Sequence, residues 1–175
     1  MGKLEMGTFE VDWHNCKQSC MGDFVDDLST VPIAENRRSK PIAIEFPDDA
    51  LSCLVLGAVR IQLGDLLGGV AYYDRAIDLQ PELAIAYNSR GSVRLQLMCD
   101  RDAIADYNRA IELEPDNPEF YANRGMALSL SGEMEASIAD LQQATLLYKL
   151  QGDRGNSRKL EMFISSLRQQ YQHRF

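Results

Sequence analysis

Ala71-Tyr-Tyr-Asp-Arg-Ala-Ile-Asp-Leu-Gln-Pro81 returns 34 residues later as Ala105-Asp-Tyr-Asn-Arg-Ala-Ile-Glu-Leu-Glu-Pro115. The same interval separates Gly57, Gly91 and Gly125, and again Ala76, Ala110 and Ala144, and again Tyr73, Tyr107 and Leu141. Tyr87 and Tyr121 keep it, as do Arg90 and Arg124, which stand immediately before two of the glycines. Several ladders in one phase mark internal repeats, in which each unit buries its apolar face against the next.

Inside each unit the apolar residues fall at helical spacing. Tyr87, Gly91, Leu95 and Leu97 serve a first helix, and Ile104, Tyr107, Ala110, Ile111 and Leu113 a second. The recurring glycines let the partner helix approach closely, although Gly costs about 1 kcal/mol in a helix interior. Asn117 is placed to cap, Pro118 suits a first turn and Glu119 complements the helix dipole. Gly64 and Gly132 mark turns within units, and Pro81 and Pro115 end second helices because Pro cannot continue the ladder. The pattern predicts helices near 49–62, 66–79, 83–97, 100–113, 118–130 and 133–150. After a break at Gly152-Asp-Arg-Gly155 it predicts a last one near 156–172, with Leu160, Phe163, Ile164, Leu167 and Tyr171 on one face. Such an amphipathic helix, polar outside, is what a stacked array needs at its end for solubility.

These residues resemble the tetratricopeptide-repeat (TPR) family, whose 34-residue pattern combines aromatic, Leu-Gly, small, Ala and Pro positions. In style the repeats are similar to bacterial, especially cyanobacterial, members. The sequence departs from the pattern at Arg60 and Arg94 in a Tyr place, Cys53 in an aromatic place, Gly69 where repeat two has Ala103, and Lys149 for the closing Pro. The resemblance implies an all-α fold, a right-handed TPR superhelix of three helix-turn-helix repeats (about 50–83, 84–117 and 118–151) plus a C-terminal capping helix. Residues 47–151 are expected to hold the repeats, 152–175 the cap, and 1–46 a mostly irregular segment.

In the family the first helix of each pair lines a concave surface that receives peptides or partner helices. Carried over, that surface takes Leu51, Leu54, Val55, Ala58 and Gln62 from repeat one. Repeat two supplies Ile85, Asn88, Ser89, Ser92 and Gln96, and repeat three Glu119, Ala122, Asn123, Met126 and Leu130. Asn88 and Asn123 are candidates for bonding a peptide backbone, whereas Arg90, Arg94 and Arg124 are expected to pair with acids of neighbouring helices. Some members grip acidic chaperone tails with a carboxylate clamp of Lys, Asn, Asn, Lys and Arg. The matching positions here hold Leu54, Ala58, Ser89, Glu119 and Asn123, so a receptor of that kind is not expected.

Composition narrows the function further. The formal net charge of -8 disfavours nucleic-acid binding, which needs clustered Lys and Arg. No apolar run approaches the roughly 18 residues of a membrane span. The N-terminus lacks the basic and apolar blocks of a secretory signal, so a cytoplasmic setting is expected. The charge is uneven: acids predominate through residues 47–151, and bases predominate over 152–175. Cys16, Cys20, Cys53 and Cys99 are expected to be thiols, with Cys53 and Cys99 as small core residues. His14, Cys16 and Cys20 offer three metal-ligand types where a structural zinc site needs four. No phosphate loop, dinucleotide turn, zinc helix or nucleophile elbow occurs, and the acids Asp74, Asp78, Asp106 and Glu112 are expected on solvated faces.

The sequence therefore reads as a non-catalytic protein–protein interaction scaffold without a cofactor, binding a protein or peptide in its concave groove. A self-associating assembly module, giving a homo-oligomer, is the alternative. A thiol or metal module at the N-terminus is a third class.

Overall fold

The computed structural model describes residues 47–172, and the expectations for Cys16, Cys20 and the segment 1–46 lie outside them. Seven helices follow in chain order: α1 Ala50–Gln62, α2 Leu66–Leu79, α3 Ala84–Gln96, α4 Asp100–Leu113, α5 Pro118–Leu130, α6 Met134–Leu150 and α7 Arg154–Gln172. Helix α5 starts as expected: the Asn117 side chain accepts from the Glu119 amide at 3.2 Å, with Pro118 in the first turn. Asp49 caps α1 and Asp65 caps α2, accepting from the amides of Ser52 and Gly68 at 2.7 and 2.8 Å. Helix α7 begins two residues before the expected 156. Its start is held by Asp153, whose carboxylate accepts from the Asn156 amide at 2.9 Å. That backbone bond also holds the Asp153 carboxyl below its ordinary pKa.

Each helix packs on the next along the chain. Within a pair the approach is set by the repeated glycine. A Cβ placed on Gly91 would sit 2.9 Å from the Tyr107 ring and 3.2 Å from the Ala103 carbonyl oxygen. Gly125 meets Leu141 in the same way, and Gly57 meets Tyr73. Gly69 closes the first pair from the other side, since a Cβ there would reach the Ile61 side chain and the Gly57 carbonyl. The glycine in place of Ala103 is thus a packing adjustment inside repeat one.

Between pairs, separate buried clusters join neighbouring helices. Phe120, fully buried, packs with Ala84 and Ala110 and is flanked by Ile85, Tyr87, Ile111 and Leu113, so that α3, α4 and α5 share one cluster. Ala103 and Tyr107 of α4 meet Ala127 of α5. The capping helix buries Ile164 and Leu167 against Leu141, with Leu160 at the margin. Phe163 stays 38% exposed beside that seam, which corrects its expected place in it; its neighbour Ile164 occupies the centre of the contact. Tyr171 lies beyond the described side chains.

Cys53 is a free thiol in the core. Cys99 is also buried, in its expected place as a small core residue.

The turns between paired helices have one exceptional member. Gly64 and Gly132 sit in the left-handed region at φ 84° and 83°, whereas Met98, at the equivalent place of repeat two, has φ 61°. A side chain in this region costs roughly 1–2 kcal/mol, and glycine removes that cost while adding freedom to the unfolded chain. Met98→Gly is accordingly expected to stabilise the protein by about 0.5–1 kcal/mol, read as a higher urea midpoint with unchanged slope.

Candidate partner-binding surface

The first helices of repeats two and three are positioned by arginines reaching under them. Arg90 makes a two-pronged pair with Asp106, at 3.0 Å from Nε and 2.6 Å from Nη2, and its Nη1 lies 2.6 Å from Asp74 of the preceding repeat. Arg124 repeats the pattern on Asp140 at 2.6 and 2.7 Å, and its Nη1 donates to Asn108 at 2.7 Å. Each guanidinium also lies over the tyrosine three residues earlier, Arg90 on Tyr87 at 5.5 Å and Arg124 on Tyr121 at 5.8 Å. Arg94, in the place of the family tyrosine, adds a further bond to Asp106 at 2.8 Å. The expected pairing of these arginines with acids is therefore present.

Repeat one lacks this device, for Leu56 and Tyr72 stand where an Arg and an Asp would be. Arg60 instead pairs with Asp65 at 3.2 Å. Asp106 is buried, which corrects its expected solvated place: with two arginines around it, the carboxylate is an internal anchor. Asp78 and Glu112 are exposed, and Asp74 is half-exposed beside Arg90. Burial works against the charge on Arg90, but the bonds and charges of Asp106 and Asp74 outweigh it and raise its pKa.

The residues carried over from the family pattern divide by exposure. Leu54, Ile85, Ser89, Ser92 and Asn123 are partly buried, whereas Ala58, Gln96, Glu119 and Met126 are exposed. Asn88 is only 3% exposed. Its Oδ1 accepts from Asn123 Nδ2 at 2.8 Å, and its Nδ2 donates to Glu119 Oε1 at 3.3 Å. The structure thus brings Asn88, Glu119 and Asn123 together and sets α3 and α5 side by side. It corrects Asn88 as a peptide-contacting amide, since burial and two internal bonds occupy it. Ser92 closes the arrangement by donating to the Asn88 carbonyl at 3.0 Å and accepting from the Tyr107 hydroxyl at 3.2 Å. Met126 and Leu130 remain at the surface of α5, 39% and 70% exposed.

Beside the Glu119 end, Glu114, Pro115, Asp116, Asn117, Pro118, Tyr148 and Gln151 line an open depression with it. Gln151 Nε2 donates to the Asp116 carbonyl at 3.1 Å and joins the two sides. Tyr148 and Gln151 were not legible as surface-lining residues, because they come from the end of a second helix and match nothing at their interval in repeat two. The arginine bridges did carry a signal: Asp74 to Arg90, Arg90 to Asp106, Asn108 to Arg124 and Arg124 to Asp140 are all 16 residues apart.

Among the described residues no group of three or more His, Cys, Asp and Glu side chains suits a metal ion, and no helix is long and apolar enough to cross a membrane.

Removing one partner of a buried pair leaves an uncompensated charge, usually at a cost of about 3–5 kcal/mol. With Arg94 still on Asp106, Arg90→Met is expected to destabilise by about 2–3 kcal/mol in urea unfolding. The double variant Arg90→Met with Asp106→Leu is expected to lose less than the two single losses added together.

The comparisons with known proteins agree with this architecture. Residues 101–132 match a family profile described as TPR repeat, and residues 50–83 and 118–149 one described as Tetratricopeptide repeat. No curated protein sequence matches the chain. Among solved structures it is similar to the TPR2B-domain:pHsp70-complex of yeast Sti1, with 25% identity and a TM-score of 0.66 over 69% of this chain and 97% of that one. The first TPR of Spaghetti (RPAP3), bound to the HSP90 peptide SRMEEVD, superposes with a TM-score of 0.61 at 19% identity, over 70% of this chain and 92% of that one. The MamA protein superposes at 0.56 and 20% identity, over 62% and 59% of the two chains. With three matched repeat segments and the fold those repeats make, the chain belongs to the tetratricopeptide-repeat family.

Proposed function

We propose that the protein is a non-catalytic adaptor working in the cytoplasm, which holds a segment of a partner protein on the concave face formed by its first helices. The observation that carries this reading is the side-by-side setting of α3 and α5 through Asn88, Asn123 and Glu119. Those bonds fix the surface in advance, and a surface that needs no ordering on binding loses less affinity to entropy. The side chains left outward, among them Gln96, Met126 and Leu130, mix amide and apolar character as an interface core does. The Sti1 domain named above is in a pHsp70 complex and the Spaghetti domain is bound to an HSP90 peptide, which supports peptide holding as the use of this fold. The ligand here is not proposed to be an acidic tail. Leu54, Ala58, Ser89, Glu119 and Asn123 stand at the clamp positions and include no cation.

The alternative reading, self-association, is favoured by one observation. Leu51 and Val55 are each 61% exposed on α1, and with Pro47 and Leu56 they line an apolar depression. Contiguous apolar surface of this kind marks contact sites.

The two readings are separated by capture from the native cell extract and by light scattering. On the adaptor reading, Met126→Glu loses the partner retained by the wild-type chain while its melting temperature stays unchanged. Retention of the same partner would overturn the concave-face assignment. On the self-association reading, a concentration-dependent dimer is dissolved by Val55→Glu, and a monomer at every concentration would remove it.

A further inference from the structure

We infer that the segment held on the α3–α5 face is an apolar peptide carrying a lysine or arginine, whose cation seats against Glu119. This rests on the concave-face reading above and names the chemistry of its occupant.

The first support is the state of the basic side chains on the first helices. Arg60 is paired with Asp65, Arg90 with Asp74 and Asp106, Arg94 with Asp106, and Arg124 with Asp140. Each guanidinium of α1, α3 and α5 is thus engaged by a carboxylate of the same fold. A peptide carboxylate laid on this face would meet no open counter-charge, and stripping its water would go uncompensated.

The second support is the opposite balance at the Glu119 end. Glu119 is exposed, and one of its oxygens accepts a single 3.3 Å bond from Asn88, which leaves most of the capacity of a carboxylate available. Glu114 and Asp116 border the same depression, and its lining contains no Lys or Arg. Tyr148 completes it with a ring, the side-chain type that a cation packs upon. The Tyr148 phenol is pushed up in pKa by burial and then by the charges of Glu119 and Asp153, as expected where the local field favours cations.

The third support is spacing. Glu119 and Met126 lie on one helix seven residues apart, about 10 Å at 1.5 Å per residue. An extended peptide covers that distance in about three residues. The fitting ligand therefore places its cation about three residues from an apolar anchor.

The test uses the full chain and three fluorescein-labelled ten-residue peptides of Ala and Ser. Each has a Leu three residues from a Lys, or from a Gln or a Glu in its place. Fluorescence anisotropy is expected to give about three- to fivefold tighter binding for the Lys form than for the Gln form, with the Glu form weakest. Glu119→Gln should erase the Lys preference, added salt should shrink it, and Asp78→Asn on the second helix of repeat one should leave it unchanged. Equal binding of the Lys and Gln forms, binding of none of the three, or an equal loss with Asp78→Asn would overturn the inference. If charge preference is absent while Met126→Glu still abolishes binding, only this inference falls and the concave face stands. If Lys-peptide binding ignores both Met126→Glu and Glu119→Gln, the concave-face reading itself fails.

Discussion

The distance between paired helices is governed by one contact, repeated at Gly57 against Tyr73, Gly91 against Tyr107 and Gly125 against Leu141. At each, the absence of a Cβ lets the second helix come within van der Waals reach of the first helix's backbone. The geometry downstream inherits this separation. Tyr107 reaches the Ser92 hydroxyl because α4 lies that close to α3, and Ser92 in turn bonds the carbonyl of Asn88. Arg90 spans to Asp106 for the same reason. Protein interiors pack densely enough that a one-atom change here would displace the ring, the ion pair and the face together.

What the sequence made legible and what it hid follow from the range of each interaction. Helix positions, the glycine contact and the pairing of Arg90 and Arg124 recur at the 34-residue interval, which exposes them, and the Asn117-Pro118 start carries its own local capping signal. Asp106 was hidden in another way. Its composition suggests a solvated helix face, and only the convergence of Arg90 and Arg94 shows why it is buried. Asn88 belongs to the same class, because its burial depends on Glu119 and Asn123 arriving from the next repeat. Contacts made across repeats depend on how units are rotated about one another, which no single unit encodes.

The candidate surface is polar in its middle for a structural reason. Asn88 and Asn123 bind each other first, so their amides hold α3 against α5, while the Ser92 hydroxyl joins the Asn88 carbonyl to Tyr107 of α4. The apolar character that remains outward comes from Met126 and Leu130, at positions where the repeats do not need a packing residue. On the proposed reading, binding falls to side chains that the fold leaves unused, and those are the positions about which periodicity is silent.

The arginine bridges give the array a directional grain. Arg90 grips Asp106 within its own unit and Asp74 in the unit before, and Arg124 does the same with Asp140 and Asn108. In a stack described by nearest-neighbour coupling, each arginine thus adds a bond across the junction to the two it makes within its own unit. Repeat one contributes an acceptor to this chain of couplings but no guanidinium of the same kind, so among the described residues these bridges hold it only toward repeat two. Opening should therefore begin there and travel toward the cap, with α6 and α7 the last of the described helices to lose amide protection.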